Sequence, residues 1–166
     1  MALKTSTVTL DGGDMRFVGK VGSGHTIVMD NGTGDTGARP AELVPLALAG
    51  CTAMDVISIL RKKRQDVRRY EVEASGTQMD AHPNAFTRID VTHIVEGDVE
   101  VEAVRRAIEL SAVKYCSVGA TLSSGITEIH HGYVVRDLAG NEQTAEVIVL
   151  GPTTNPAEAV SLSPAG

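Results

Sequence analysis

Apolar and polar residues alternate in short runs at the start of the chain. TSTVTL, MRFVGKV and HTIVMD change side at almost every residue, which is the period of a half-buried strand. DGGD and GSG separate them and supply turns, so an antiparallel meander of three strands is predicted. NGTGDTGARP follows as a glycine-rich connector. Its flexibility suits the rim of a pocket, and it lacks the Gly-Lys-Ser/Thr of a phosphate loop. The period then lengthens. Pro40 suits the first turn of a helix predicted from about Ala41 to about Lys63. Pro45 is expected to kink it near its start. Between Leu43 and Leu60 this helix is apolar on almost every face, with Asp55 the main exception. Such a helix needs cover on all sides.

Strand-like alternation returns over Arg69–Met79 and Ala85–Glu96, with DAHPN as the turn between them. A second helix is predicted from Asp98, where Asp98 can cap and Glu100 and Glu102 suit the first turn. Val101, Val104, Ala107, Ile108, Leu110 and Ala112 form its apolar stripe, which leads through Cys116 to Leu122. Ser123, Ser124 and Gly125 end it. ITEIHHGYVVR reads as a strand and EVIVL as a last one. The order of elements gives an α+β class with antiparallel sheet and two buried helices. One domain over residues 1–150 is expected, with 151–166 as a C-terminal extension. A single subunit of this size does not easily cover the first helix, and a homodimer would solve that.

Composition narrows the function classes. Aromatic residues make up 3% of the chain, with no Trp, so no platform for stacking bases is present. The net charge of -6 opposes phosphate contacts and argues against nucleic acid as a partner. The cations Arg61, Lys62, Lys63 and Arg64 are read as complementing a helix C-terminus. No apolar leader opens the sequence, and Pro45 and Asp55 interrupt its longest apolar run. A cytoplasmic protein without a membrane span is therefore expected.

Two cysteines, Cys51 and Cys116, lie in the two helical segments, 65 positions apart. The residues leave two readings open: a redox-active pair, or two small core side chains. Asp55 follows Cys51 at i+4, on the same helical face, where a carboxylate opposes thiolate formation. His25, His82, His93, His130 and His131 show no metal-ligand spacing. His130 and His131 adjoin in a strand and so point to opposite faces. No G-x-S-x-G elbow is present.

The stretch GARPAELVPLALAGCTAMDVISIL, the helix from HIV-x-GDVE to KYCSV and the glycine-punctuated strands before them together resemble the osmotically inducible protein C / organic hydroperoxide resistance family. The resemblance spans about residues 15 to 136. It implies an intertwined homodimer with antiparallel sheets wrapped around two central helices. It also implies a thiol-dependent peroxidase that reduces organic hydroperoxides. Cys51 would be the peroxidatic thiol and Cys116 the resolving one, with an external dithiol as reductant and no metal or organic cofactor. A small apolar hydroperoxide is the implied partner. The family's arginine has no clear counterpart, Arg16 and Arg39 being the nearest candidates, and its carboxylate stands one place later, at Glu42, with Ala41 after the proline. Nine residues apart on a straight helix, Glu42 and Cys51 differ by roughly 180°. Ser117 replaces the family's proline after the second cysteine. The alternatives on the same fold are a non-catalytic binder of a small apolar ligand and a redox sensor.

Overall fold

Three short strands open the chain, β1 (Ser6–Leu10), β2 (Phe17–Val21) and β3 (Thr26–Met29). They pair in order as the expected antiparallel meander. The structure, a computed structural model, describes residues 3–12 and 14–151. The predicted extension at 151–166 therefore lies almost wholly outside the described residues. By internal contacts the chain divides into two compact units, Met1–Val44 and Pro45–Gly166.

In the first unit the glycine-rich connector is tied rather than loose. The Asp30 carboxylate accepts hydrogen bonds from the backbone N–H groups of Asn31 and Thr36 and from the Thr36 hydroxyl. A Cβ at Gly34 would run into that carboxylate, so the loop needs glycine there to close on Asp30. A 3-10 turn, Pro40–Glu42, ends the unit.

Helix α1 (Leu43–Lys62) follows, and from Pro45 on it belongs to the second unit. Because the α-helix proper starts at Leu43, Pro45 falls in its first turn, where a backbone N–H has no intrahelical acceptor to lose. The expected disruption by Pro45 thus loses its physical cause. Together with the 3-10 turn, the helical stretch Pro40–Lys62 is 23 residues, long and apolar enough to cross a membrane. This corrects the expectation from Pro45 and Asp55, which do not shorten it. A core helix meets the same criterion, and α1 buries Leu48, Ala49, Thr52, Val56 and Leu60 on one face.

Strands β4 (Asp66–Gln78), β5 (Phe86–Asp98), β6 (Glu128–Arg136) and β7 (Glu142–Leu150) form one sheet in that order. β4–β5 and β6–β7 are antiparallel, but β5 and β6 are parallel. The all-antiparallel expectation is corrected here. A parallel pair needs a crossover connection, and α2 (Val101–Leu110) with α3 (Ser117–Ser123) provides it. The fold is α+β, as expected. The cap of α2 also differs: Asp98 closes β5, and the Glu100 N–H donates to Gln65 Oε1 at 2.6 Å.

The core of this unit is aliphatic. Leu48, Val56 and Leu60 of α1, Ile89, Val91 and Val95 of β5, Val104 and Ile108 of α2, and Ile129 of β6 are all buried. Each such side chain stabilises the fold by roughly 1.5–3 kcal/mol through removal from water. The opposite face of α1 stays open, with Leu46 62% and Met54 75% exposed.

Candidate functional site

Cys51 sits in the middle of α1, partly exposed, and Asp55 follows it one turn later. An i,i+4 spacing puts both on one helical face. Cys116 reaches that face from a break in the second helical segment. α2 does not run on to Leu122 as its apolar stripe predicted. It widens into a π-helical turn at Ser111–Tyr115, and Cys116 then leaves helical geometry with φ -71° and ψ 98°. Cys116 thereby becomes the N-cap of α3, and its sulfur accepts the Gly119 N–H at 3.2 Å. A longer regular helix would have carried Cys116 onward along the helix axis. The break holds it in place.

The outcome is a cluster of three donors. Cys51 Sγ, Cys116 Sγ and an Asp55 carboxylate oxygen all lie within 4.8 Å of one another. Both thiols are free. Cys116 is only 3% exposed. Its burial first, and its neighbour Cys51 next, hold its thiol well above the usual cysteine range, with Asp55 adding to the rise. This arrangement combines one accessible sulfur, one enclosed sulfur and one carboxylate. It can support thiol–disulfide chemistry, and its donors can ligate a soft metal ion. No histidine belongs to it.

A polar chain runs from Asp55 into the core. The Ser111 hydroxyl donates to Asp55 Oδ2 at 3.0 Å, and Ser111 also meets the Thr52 hydroxyl at 3.0 Å. Thr52 Oγ1 lies 3.5 Å from His93 Nε2, and the Tyr70 hydroxyl lies 2.7 Å from His93 Nδ1. The His131 ring stacks on His93 at 6.1 Å. Both histidines are wholly enclosed. Desolvation, followed by the His131 ring for His93 and the His130 ring for His131, lowers His93 to about 3 and His131 to about 4, so both are neutral at pH 7. The sequence pattern put His130 and His131 in one strand but did not bring His93 and His131 together. The signal was present: His93 is in phase with Ile89, Val91 and Val95, and His131 with Ile129, Tyr133 and Val135, all buried. His130 points the other way, as the alternation required, and pairs with Glu146 at 3.1 Å.

Asp55 also lines a groove of about 300 Å³ with Ser58, Ile59, Lys62, Leu110 and Tyr115. Arg39 and Glu42 belong to the first unit and pair with one another. The Glu42 carboxylate accepts the Arg39 backbone N–H at 2.8 Å and its guanidinium at 3.0 Å, and these bonds hold Glu42 below the usual carboxylate range. Their shared task in the structure is to cap the turn that leads into α1.

The OsmC-like protein family profile matches residues 32–131, a span that includes both cysteines and Asp55. The chain belongs to the OsmC family. Protein YhfA of Escherichia coli is 44% identical over 122 residues, covering 73% of this chain and 90% of YhfA. Among solved structures, a hypothetical protein from Aquifex aeolicus superposes with a TM-score of 0.74 at 28% identity, over 82% of this chain and 98% of its own. The organic hydroperoxide resistance protein OhrB of Bacillus subtilis shares the fold, with a TM-score of 0.55 at 16% identity, over 80% of this chain and 98% of its own. The sequence resemblance to the OsmC family is thus borne out. So is its α+β fold.

Proposed function

We propose that this OsmC-family protein is a thiol-dependent peroxidase acting on organic hydroperoxides through Cys51 and Cys116. The observation that carries the reading is the meeting of one accessible and one buried sulfur within 4.8 Å. In this scheme the Cys51 thiolate attacks the peroxide oxygen. The O–O bond breaks, the sulfur becomes a sulfenic acid, and a proton completes the departing alcohol. The Cys116 thiol then displaces water from the sulfenic sulfur and forms the disulfide. An external dithiol returns both sulfurs to the reduced state, with its own pair oxidised in exchange. Side-chain rotation closes the remaining gap to bonding distance, about 2.05 Å. A cytoplasmic setting suits a pair that must be re-reduced after each turnover.

A homodimer is part of the proposal. The open apolar face of α1 around Leu46 and Met54 favours a second copy as its cover. The test is to mix reduced protein, kept in chelator, with cumene hydroperoxide and to follow free thiols and peroxide together. Both thiols should disappear at one peroxide per chain, and Cys51→Ser should abolish consumption. Cys116→Ser should still consume one peroxide but stop at the sulfenic acid. Arg39→Ala and Glu42→Gln test the roles that the family resemblance implies for them, with slower thiol loss as the expected result. Thiols unchanged in the wild type would favour the ligand-binding alternative.

A further inference from the structure

The geometry points to a binding site for one thiophilic divalent cation of the zinc type, formed by Cys51, Asp55 and Cys116. The three donor atoms lie within 4.8 Å of one another. Zinc–sulfur bonds of about 2.3 Å and zinc–oxygen bonds of about 2.0–2.2 Å in a tetrahedron put donors roughly 3.5–3.8 Å apart. Closing the present spacing therefore takes about an ångström at most, within reach of side-chain torsions. Two thiolates and one carboxylate suit zinc or cadmium over magnesium or calcium, which take all-oxygen shells. Three protein ligands leave one tetrahedral position for water or an exogenous ligand.

Charge supports the assignment independently of spacing. Glu109, a buried carboxylate of the same unit, is neutralised by Arg105 and Arg106. Asp55 has no Lys or Arg ion-pair partner among the described residues; its hydrogen bond comes from Ser111. Two sulfurs stand beside it, so a divalent cation is a counter-charge that all three donors can share. The surroundings also fit a ligand shell. The Ser111 hydroxyl orients the carboxylate, and the Gly119 N–H points at Cys116 Sγ, which are outer contacts of the kind that fix metal ligands. Asp55 lines a groove and Cys51 is partly exposed, so two of the three donors face solvent.

Binding displaces one proton from each thiol and leaves both sulfurs as metal ligands. Its consequence for turnover rests on the peroxidase reading: a bound ion shields both sulfurs from peroxide. If a hydroperoxide does oxidise the pair, the two metal–sulfur bonds break and one sulfur–sulfur bond forms. The O–O bond takes up two protons to give alcohol and water, and the divalent ion is released.

The experiment uses the full reduced chain, stripped with chelator and titrated anaerobically with Co²⁺ and then Zn²⁺. One ion per chain is expected, with a thiolate-to-cobalt charge-transfer band that Zn²⁺ abolishes. Cys51→Ser and Cys116→Ser should each remove the band, and Asp55→Asn should weaken Zn²⁺ binding about tenfold or more. Circular dichroism checks that each variant folds. A readout on the wild type alone guards against variants that do not: saturating Zn²⁺ should slow alkylation of Cys51 by iodoacetamide at least about tenfold. Absence of the band, one ion per two chains, or unprotected alkylation would each overturn the site. Peroxide consumption measured in chelator is a separate assay. Its failure removes the peroxidase reading and leaves the metal result standing, whereas turnover without metal uptake removes only the site.

Discussion

Asp55 is the carboxylate that stands beside both sulfurs. It stands one turn after Cys51 and within 4.8 Å of both sulfurs, and its charge contributes to the raised thiol of Cys116. A like charge at about 4 Å costs roughly 1–4 kcal/mol across effective dielectrics from water to a protein surface. Asp55→Asn removes that charge and keeps the shape. It should therefore lower the titration of the Cys116 thiol, seen as a Cys116 alkylation rate that rises at lower pH than in the wild type. Ser111 can still donate to the new amide oxygen, so the fold should persist. An unchanged or upward-shifted profile would mean that burial alone sets the thiols and that the carboxylate is a bystander. The i,i+4 relation that makes this residue matter was legible in the sequence. Helical periodicity could not supply the third member, because it says nothing about where a residue 65 positions away will arrive; the pairing of Cys51 with Cys116 came from the family resemblance alone.

The elements themselves were largely readable, since alternation and helical stripes report burial directly. Strands β1 to β7 and helix α1 follow their patterns to within a few residues. Two features escaped for physical reasons. Alternation identifies a strand but not the direction of its neighbour, so the parallel pairing of β5 and β6 was invisible. The break before α3 escaped because the apolar stripe continues through it, the π-helical turn shifting the phase by one residue without a glycine or proline to mark it. α1 offers the clearest element-scale test because its two faces have opposite burdens. Leu60 is 0% exposed and Leu46 is 62% exposed. Leu60→Ala should cost about 2–5 kcal/mol by leaving a cavity, measured by denaturant unfolding at fixed protein concentration. Leu46→Glu should leave the helix formed and shift sedimentation toward the monomer, if a second copy covers that face. Retention of one oligomeric state by Leu46→Glu would remove this face as the interface.

At the scale of the molecule, the two buried imidazoles make stability depend on pH in a defined window. His93 and His131 titrate near about 3 and about 4 in the folded chain, against about 6.5 when unfolded. Between these values the unfolded chain binds protons that the folded chain refuses, so stability rises with pH there. The full contribution is present above about pH 6.5 and falls as pH drops toward about 4. Each histidine supplies a slope of up to about 1.4 kcal/mol per pH unit, and the two together about twice that near pH 5. Carboxylates held low in the folded state act in a lower window, because their unfolded values lie near 4. Unfolding midpoints measured from pH 7.5 to 4.5 should therefore decline, steeply below about 6. His131→Phe removes one titrating group, and with it a buried Nδ1 that has no hydrogen-bond partner among the described residues, and should flatten the decline by about half. A wild-type profile that stays level from pH 6.5 to 5 would mean that the imidazoles take up protons while folded. The polar chain from Tyr70 through His93 to Thr52 would then have to carry a charge that its burial opposes.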